Sequence, residues 1–200
     1  SDLNRLLHRL RTEAHIDIRQ NQADTANITI EAVSRKEIRA MLPRAACFVA
    51  PNVSSLAQYR LARRTSLVNW TGLKERKRLS IFLPNDASPQ EVRDCLHEEL
   101  AQALGPLNDL YRLPDSVFND DNVQTVLTGF DMLILRAYYD PSLHNGMQKS
   151  EVAKRISLIL SRINPRGKQF APRRLTRTPR SWINAIQRAL DPGANQKERI

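Results

Sequence analysis

Glycine is scarce, with six in 200 residues. No Gly-rich turn of the kind that wraps a phosphate is present, which excludes the dinucleotide and P-loop nucleotide-binding motifs. Cysteine is scarcer still: Cys47 and Cys95 alone rule out a small disulfide-scaffolded protein. Two cysteines leave two states open, one bridge closing a long loop or two buried thiols, and a single bridge is the expectation. No stretch approaches the roughly 18–20 apolar residues that span a bilayer. Ser1 to Leu10 is polar and basic without an apolar signal core, so a mature chain lacking any targeting segment is expected. Acidic residues are missing altogether from Val152 to Leu190. What remains is ordinary globular usage, 41% hydrophobic and 26% charged, in a length suited to one compact core.

The missing acids concentrate the charge. Ten basic residues fall in the acid-free stretch, and ten is also the net charge of the chain, so the rest of the sequence is electrically balanced. Arg162, Arg166, Lys168, Arg173, Arg174, Arg177 and Arg180 are the candidate binding residues there. Such a surface draws phosphates, anionic lipid heads or an acidic protein through a field that salt screens, or it is simply a solvated basic face. The division that follows is a globular body over 1–147 and a basic helical C-terminal extension over 148–200, expected to pack on or next to the body.

Leu3, Leu6, Leu7 and Leu10 recur at helical spacing. Ile16-Asp17-Ile18 and Ile28-Thr29-Ile30 alternate as strands do. Ser34 with Glu37, and Ser88 with Pro89 and Glu91, are capping signatures that open helices. Cys47-Phe48-Val49 and Leu79-Ser80-Ile81-Phe82-Leu83 read as strands, and Leu56 to Arg64 as a helix. Further helices are expected over 127–139, 149–162 and 180–190, the last two separated by a Pro- and Arg-rich connector. Mixed order of this kind predicts an α+β fold: a small twisted sheet from the N-terminal half backed by the 89–104 helix, with a helical C-terminal half. Trp70 and Trp182 sit in no aromatic-basic alternation and are expected to pack against the body.

Cys95-Leu96-His97-Glu98-Glu99-Leu100-Ala101-Gln102-Ala103-Leu104-Gly105-Pro106-Leu107-Asn108 carries the most chemical information. Zinc peptidases place two ligands one helical turn apart with a general-base carboxylate beside the first, and the metzincin branch adds a Gly turn before a third ligand. His97-Glu98 does not start such a motif, because Ala101 stands where the second histidine belongs. Shifted by one residue, the spacing fits: Glu98 and Gln102 fall at the first two ligand positions, Glu99 at the base, Gly105 at the turn and Asn108 at the third ligand. Downstream, Pro114-Asp115-Ser116-Val117-Phe118 is similar to the metzincin turn beneath the metal, with Phe118 in place of Met, and Leu127, Asp131, Leu135, Tyr138 and Tyr139 resemble the closing helix. The combined pattern over about 90–147 also resembles a family of secreted or periplasmic bacterial proteins of unassigned function.

The resemblance implies a metzincin-like architecture for the 1–147 body, while the residue types depart from its chemistry. Zinc prefers imidazole and thiolate, and Glu98, Gln102 and Asn108 offer only oxygen. No cofactor is expected; a divalent cation held weakly by those three residues is the variant of that reading. His97 points about 100° away from Glu98 on the helix and is expected to be a partly exposed surface residue. Asp109, Asn119, Asp120 and Asp121 read as turn residues, and His8, His15 and His144 do not assemble a ligand set. The leading expectation is a non-catalytic metzincin-like binding or assembly domain of a bacterial envelope or secreted protein, with a protein or anionic envelope partner. Its alternatives are a metal-dependent, peptidase-like hydrolase using Glu99 as general base, and a polyanion or nucleic-acid binder working through 152–190. A periplasmic or secreted location follows from the resemblance and from the bridge.

Overall fold

The computed structural model describes residues 1–107, 110, 113–119, 124–171 and 179–190. Among these lie three strands and seven α-helices, in an α+β arrangement. Helix α1 (Asp2–Thr12) leads into an irregular segment and then strand β1 (Ile28–Val33). Helix α2 (Arg35–Met41), strand β2 (Phe48–Pro51), helix α3 (Leu56–Ala62) and strand β3 (Leu79–Pro84) follow. The C-terminal half is helical: α4 (Pro89–Leu104), α5 (Gly129–Tyr138), α6 (Lys149–Ile163) and α7 (Arg180–Leu190).

The sheet order is β1-β3-β2, with β3 parallel to β1 and antiparallel to β2. Every residue of the central strand is buried, as expected when both faces of a sheet are covered. On one face Leu79, Ile81 and Leu83 meet α1, α4 and α5 in a core that includes Leu6, Leu10, Leu100 and Leu135. On the other, Phe82 and Phe48 pack with Ile38 of α2 and Leu56 of α3. The sheet is therefore enclosed by helices on both sides rather than backed by α4 alone. Ser80, pointing to the second face, is satisfied by the Thr29 hydroxyl at 2.8 Å.

Capping fixes where the helices start. Ser34 with Glu37 and Ser88 with Glu91 form reciprocal capping boxes, and Pro89 occupies the first turn of α4. Thr128 and Asp131 do the same for α5. At the end of α4, a side chain at Gly105 would place its Cβ 2.6 Å from the Tyr138 ring, so glycine there permits the close approach of α5.

The expected strand over Ile16 to Ile18 is not formed. His15 takes a left-handed backbone (φ 58°), and the Ile16 N–H turns back to donate to the Leu10 carbonyl at 3.1 Å. Ile16 thereby closes α1 and buries its side chain in the first core. Two apolar residues in alternation are too few to outweigh that local closure.

Candidate functional site

Cys47 and Cys95 form a disulfide across 48 residues of sequence. It ties the residue before β2 to the middle of α4, the helix that carries the peptidase-like spacing. Glu98, half-buried, and Glu99, at 5% exposure, follow directly on α4. Ligand-capable atoms of Cys47, Glu98 and Glu99 lie within 4.8 Å of one another. The sulfur is already bonded to Cys95 and supplies no thiolate, so this cluster reduces to two carboxylates. Gln102 lies one turn beyond Glu98 and is half-buried. Asn108, expected as the third ligand, is outside the described residues, as are Asp109, Asp120 and Asp121.

His97 is not on the surface. It is 7% exposed, and the Leu127 N–H donates to its Nδ1 at 3.1 Å. Loss of water around the ring, and then the positive charges of Arg9 and Arg93, push its pKa down to about 4. The ring is thus neutral above that pH, carries its proton on Nε2, and anchors the chain that enters α5. The expectation of a surface histidine failed because its partner lies 30 residues away.

Phe118 is 4% exposed in the 3₁₀ turn Val117–Asn119 and belongs to the first core. Sequence reasoning missed what holds that turn. Asp131, fully buried, accepts from the Ser116 hydroxyl (2.6 Å) and from the backbone N–H groups of Val117 (3.2 Å) and Thr128 (2.8 Å). One carboxylate therefore ties the turn to the start of α5. The visible signal was Thr128 three residues before Asp131, a capping pair that names the helix start but not the second loop.

Arg76 was also missed. Its guanidinium donates to the carbonyls of Gln102 (2.8 Å), Ala103 (3.0 Å) and Gly105 (2.6 Å), gathering the carbonyls at the end of α4, and it stacks over the Trp70 ring. The Tyr139 hydroxyl takes the Leu104 carbonyl at 2.7 Å. Beside this helix end lies a groove of about 890 Å³, bounded by Leu3 and Leu7 of α1, the irregular 16–27 segment, the start of β1 and Leu100 of α4. β1 is an edge strand. The Leu79 N–H donates to Asn27 and the Asn85 N–H to Val33, so the main-chain groups of alternate residues, Ile28, Ile30 and Ala32, point away from β3 toward the open side.

The basic candidates divide. Arg162 on α6 is ion-paired with the buried carboxylate of Asp140, which hydrogen bonds from Ser142, and then Arg162 itself, hold below the usual carboxylate pKa. Arg166 and Lys168, in the 3₁₀ turn Pro165–Gln169, and Arg180, at the start of α7, are exposed. Arg173, Arg174 and Arg177 fall outside the described residues. Trp70 packs against the first core as expected, while Trp182 is 48% exposed and belongs to neither core. No helix among the described residues is long and apolar enough to cross a membrane.

No curated protein and no solved structure matches this chain. Residues 1–157 match the family described as protein of unknown function, DUF2927, and the chain belongs to that family. The matched region ends within α6, so α7 lies beyond it.

Proposed function

We propose that this chain is a non-catalytic, metzincin-like binding domain of a secreted or envelope protein, and that its body takes an extended polypeptide along the open edge of β1. The observation that carries the reading is the edge itself: outward main-chain groups at Ile28, Ile30 and Ala32 beside a groove lined by both apolar and polar side chains. Strand addition to such an edge draws affinity from main-chain hydrogen bonds and selectivity from pockets for alternate side chains. The residue types on α4 support the non-catalytic part. Glu98 and Gln102 stand at the ligand positions, and the neighbouring imidazole of His97 is committed to the Leu127 N–H. A disulfide at Cys47–Cys95 suits an oxidising compartment.

A metal-dependent hydrolase is the second reading, favoured by the closeness of Glu98 and Glu99. Weak cation binding by Glu98, Gln102 and Asn108 belongs to that reading. One experiment separates the two. Fluorescein-labelled casein, a disordered chain, is titrated with the protein and followed by anisotropy and by gel, with and without added Zn²⁺ or Ca²⁺. Saturable binding without cleavage, abolished by Ile30→Pro, is expected; proline at an outward-facing edge position removes the offered N–H while sparing the β3 ladder. Binding unaffected by Ile30→Pro, or no binding, overturns the strand-addition reading. Metal-dependent cleavage lost in Glu99→Gln establishes the hydrolase instead.

A further inference from the structure

Helix α7 repeats the pattern of α1 without its burial. In α1 the apolar face, Leu6, Leu7 and Leu10, is 1%, 6% and 0% exposed. In α7, at about 100° per residue, Trp182, Ile183 and Ile186 share one side, while Arg180, Ser181, Asn184 and Arg188 share the other. Yet Trp182 is 48% exposed, and Ile183 and Ile186 are only half-buried. The chain leading to it shows the same imbalance: Leu158 on α6 is 77% exposed and Phe170 74%. Along the same stretch of sequence Lys154, Arg166, Lys168, Arg180 and Arg188 are exposed, and no acid occurs from 152 to 190 to offset them.

We infer that α7, with the exposed residues leading to it, is an interfacial anchor that lies on an anionic lipid surface, its Trp182 face sunk into the headgroup boundary and its basic residues against the lipid phosphates. A short helix with one apolar face bearing Trp, Arg on the other and low mean hydropathy is the composition that settles in the plane of a bilayer rather than crossing it. The uncompensated positive charge specifies the sign of the surface, and each basic residue near it strengthens attraction. Bare phosphate recognition, as on a nucleic acid, would use the charges but would leave Leu158, Phe170 and Trp182 in water. Apart from Lys154, these residues lie beyond the region matched by the family, and the site is independent of the β1 groove.

The test uses the purified full chain carrying Trp70→Phe, so that Trp182 is the sole tryptophan. It is mixed with large vesicles of phosphatidylcholine alone, or of phosphatidylcholine with about 30% phosphatidylglycerol. Co-sedimentation with the anionic vesicles at least about tenfold above the neutral ones, with a blue shift of Trp182 emission, is expected. Trp182→Ser, made in the otherwise natural chain, should weaken sedimentation about tenfold. Arg166→Gln with Lys168→Gln should weaken it about 25-fold, since each lost charge costs about fivefold. Equal binding to both vesicle types, or sedimentation without an emission shift, overturns the inference. So does a polynucleotide binding while vesicles do not. Concentration-dependent dimers abolished by Trp182→Ser would assign the face to a second copy instead. Circular dichroism of each variant checks that the fold is retained.

Discussion

Helices α1 and α7 are both eleven residues long, both amphipathic and both rich in arginine, and the chain treats them oppositely. The leucines of α1 lie against the sheet and α4, whereas the tryptophan of α7 is 48% exposed. Amphipathic periodicity therefore declares that a helix has a face to cover but not what covers it. In α1 the cover is intramolecular, helped by Arg9, which reaches over to donate to the Leu127 carbonyl at 2.7 Å. The contrast predicts that stability resides in the body and that the C-terminal helix can change without unfolding it.

The largest effect should come from α1. Leu10 is fully buried between α1 and the sheet core, and Leu10→Ala should cost about 3–5 kcal/mol through lost burial and the cavity left behind. Urea unfolding followed by far-ultraviolet circular dichroism measures it. A loss below about 1 kcal/mol would mean that α1 is held no better than α7.

Next comes the bridge. The disulfide joins cysteines 48 residues apart, and removing it in the Cys47→Ala, Cys95→Ala double variant should lower stability by about 2–4 kcal/mol, chiefly by freeing the unfolded chain. The same variant leaves α7 chemically untouched, so vesicle binding at a temperature well below its melt should persist.

A pH effect of about 3 kcal/mol at most is expected from His97. An unfolded histidine takes its proton near pH 6.5, while the buried ring resists until about 4. Between these values the unfolded chain binds more protons, so stability is full above 6.5 and falls as the pH drops toward 4. The charges of Arg9 and Arg93 oppose protonation, and those of Asp2 and Asp94 favour it to a smaller degree. His97→Asn keeps an acceptor for the Leu127 N–H and removes the titration. Its unfolding free energy should therefore decline less than that of the natural chain between pH 7 and pH 4.5. Parallel declines would assign the acid sensitivity to the carboxylates alone.

What could be read in advance follows the range of the interaction. Ser34 with Glu37 and Ser88 with Glu91 bond across three residues, so their helices were legible from local order. The strand at Leu79–Pro84 announced itself by a short apolar run broken only by Ser80, and the two cysteines had only each other. The strand expected at Ile16 failed because a single turn of backbone back to Leu10 outweighed a short alternation. Within the candidate site, the spacing from Glu98 to Gln102 was visible, but the environment of each side chain was not. His97 depends on Leu127, Asp131 on a loop fourteen residues earlier, and the end of α4 on Arg76 from another part of the chain. Long-range satisfaction of buried polar groups leaves no local trace, and these are the contacts that decide which residues remain available for chemistry.

The smallest effect is the sharpest test of the contrast. Trp182→Ser removes the largest apolar side chain of α7, a change that in a core would be among the most damaging available. Because that ring is 48% exposed and none of the described side chains of its helix belongs to either core, the unfolding free energy of the body should move by no more than about 0.5 kcal/mol. The same substitution is expected to weaken vesicle sedimentation about tenfold. A large stability loss would place α7 among the elements that hold the fold and make it a second α1. A small loss, joined to the loss of lipid binding, separates the helix that completes the core from the helix whose apolar face is completed by a surface outside the protein.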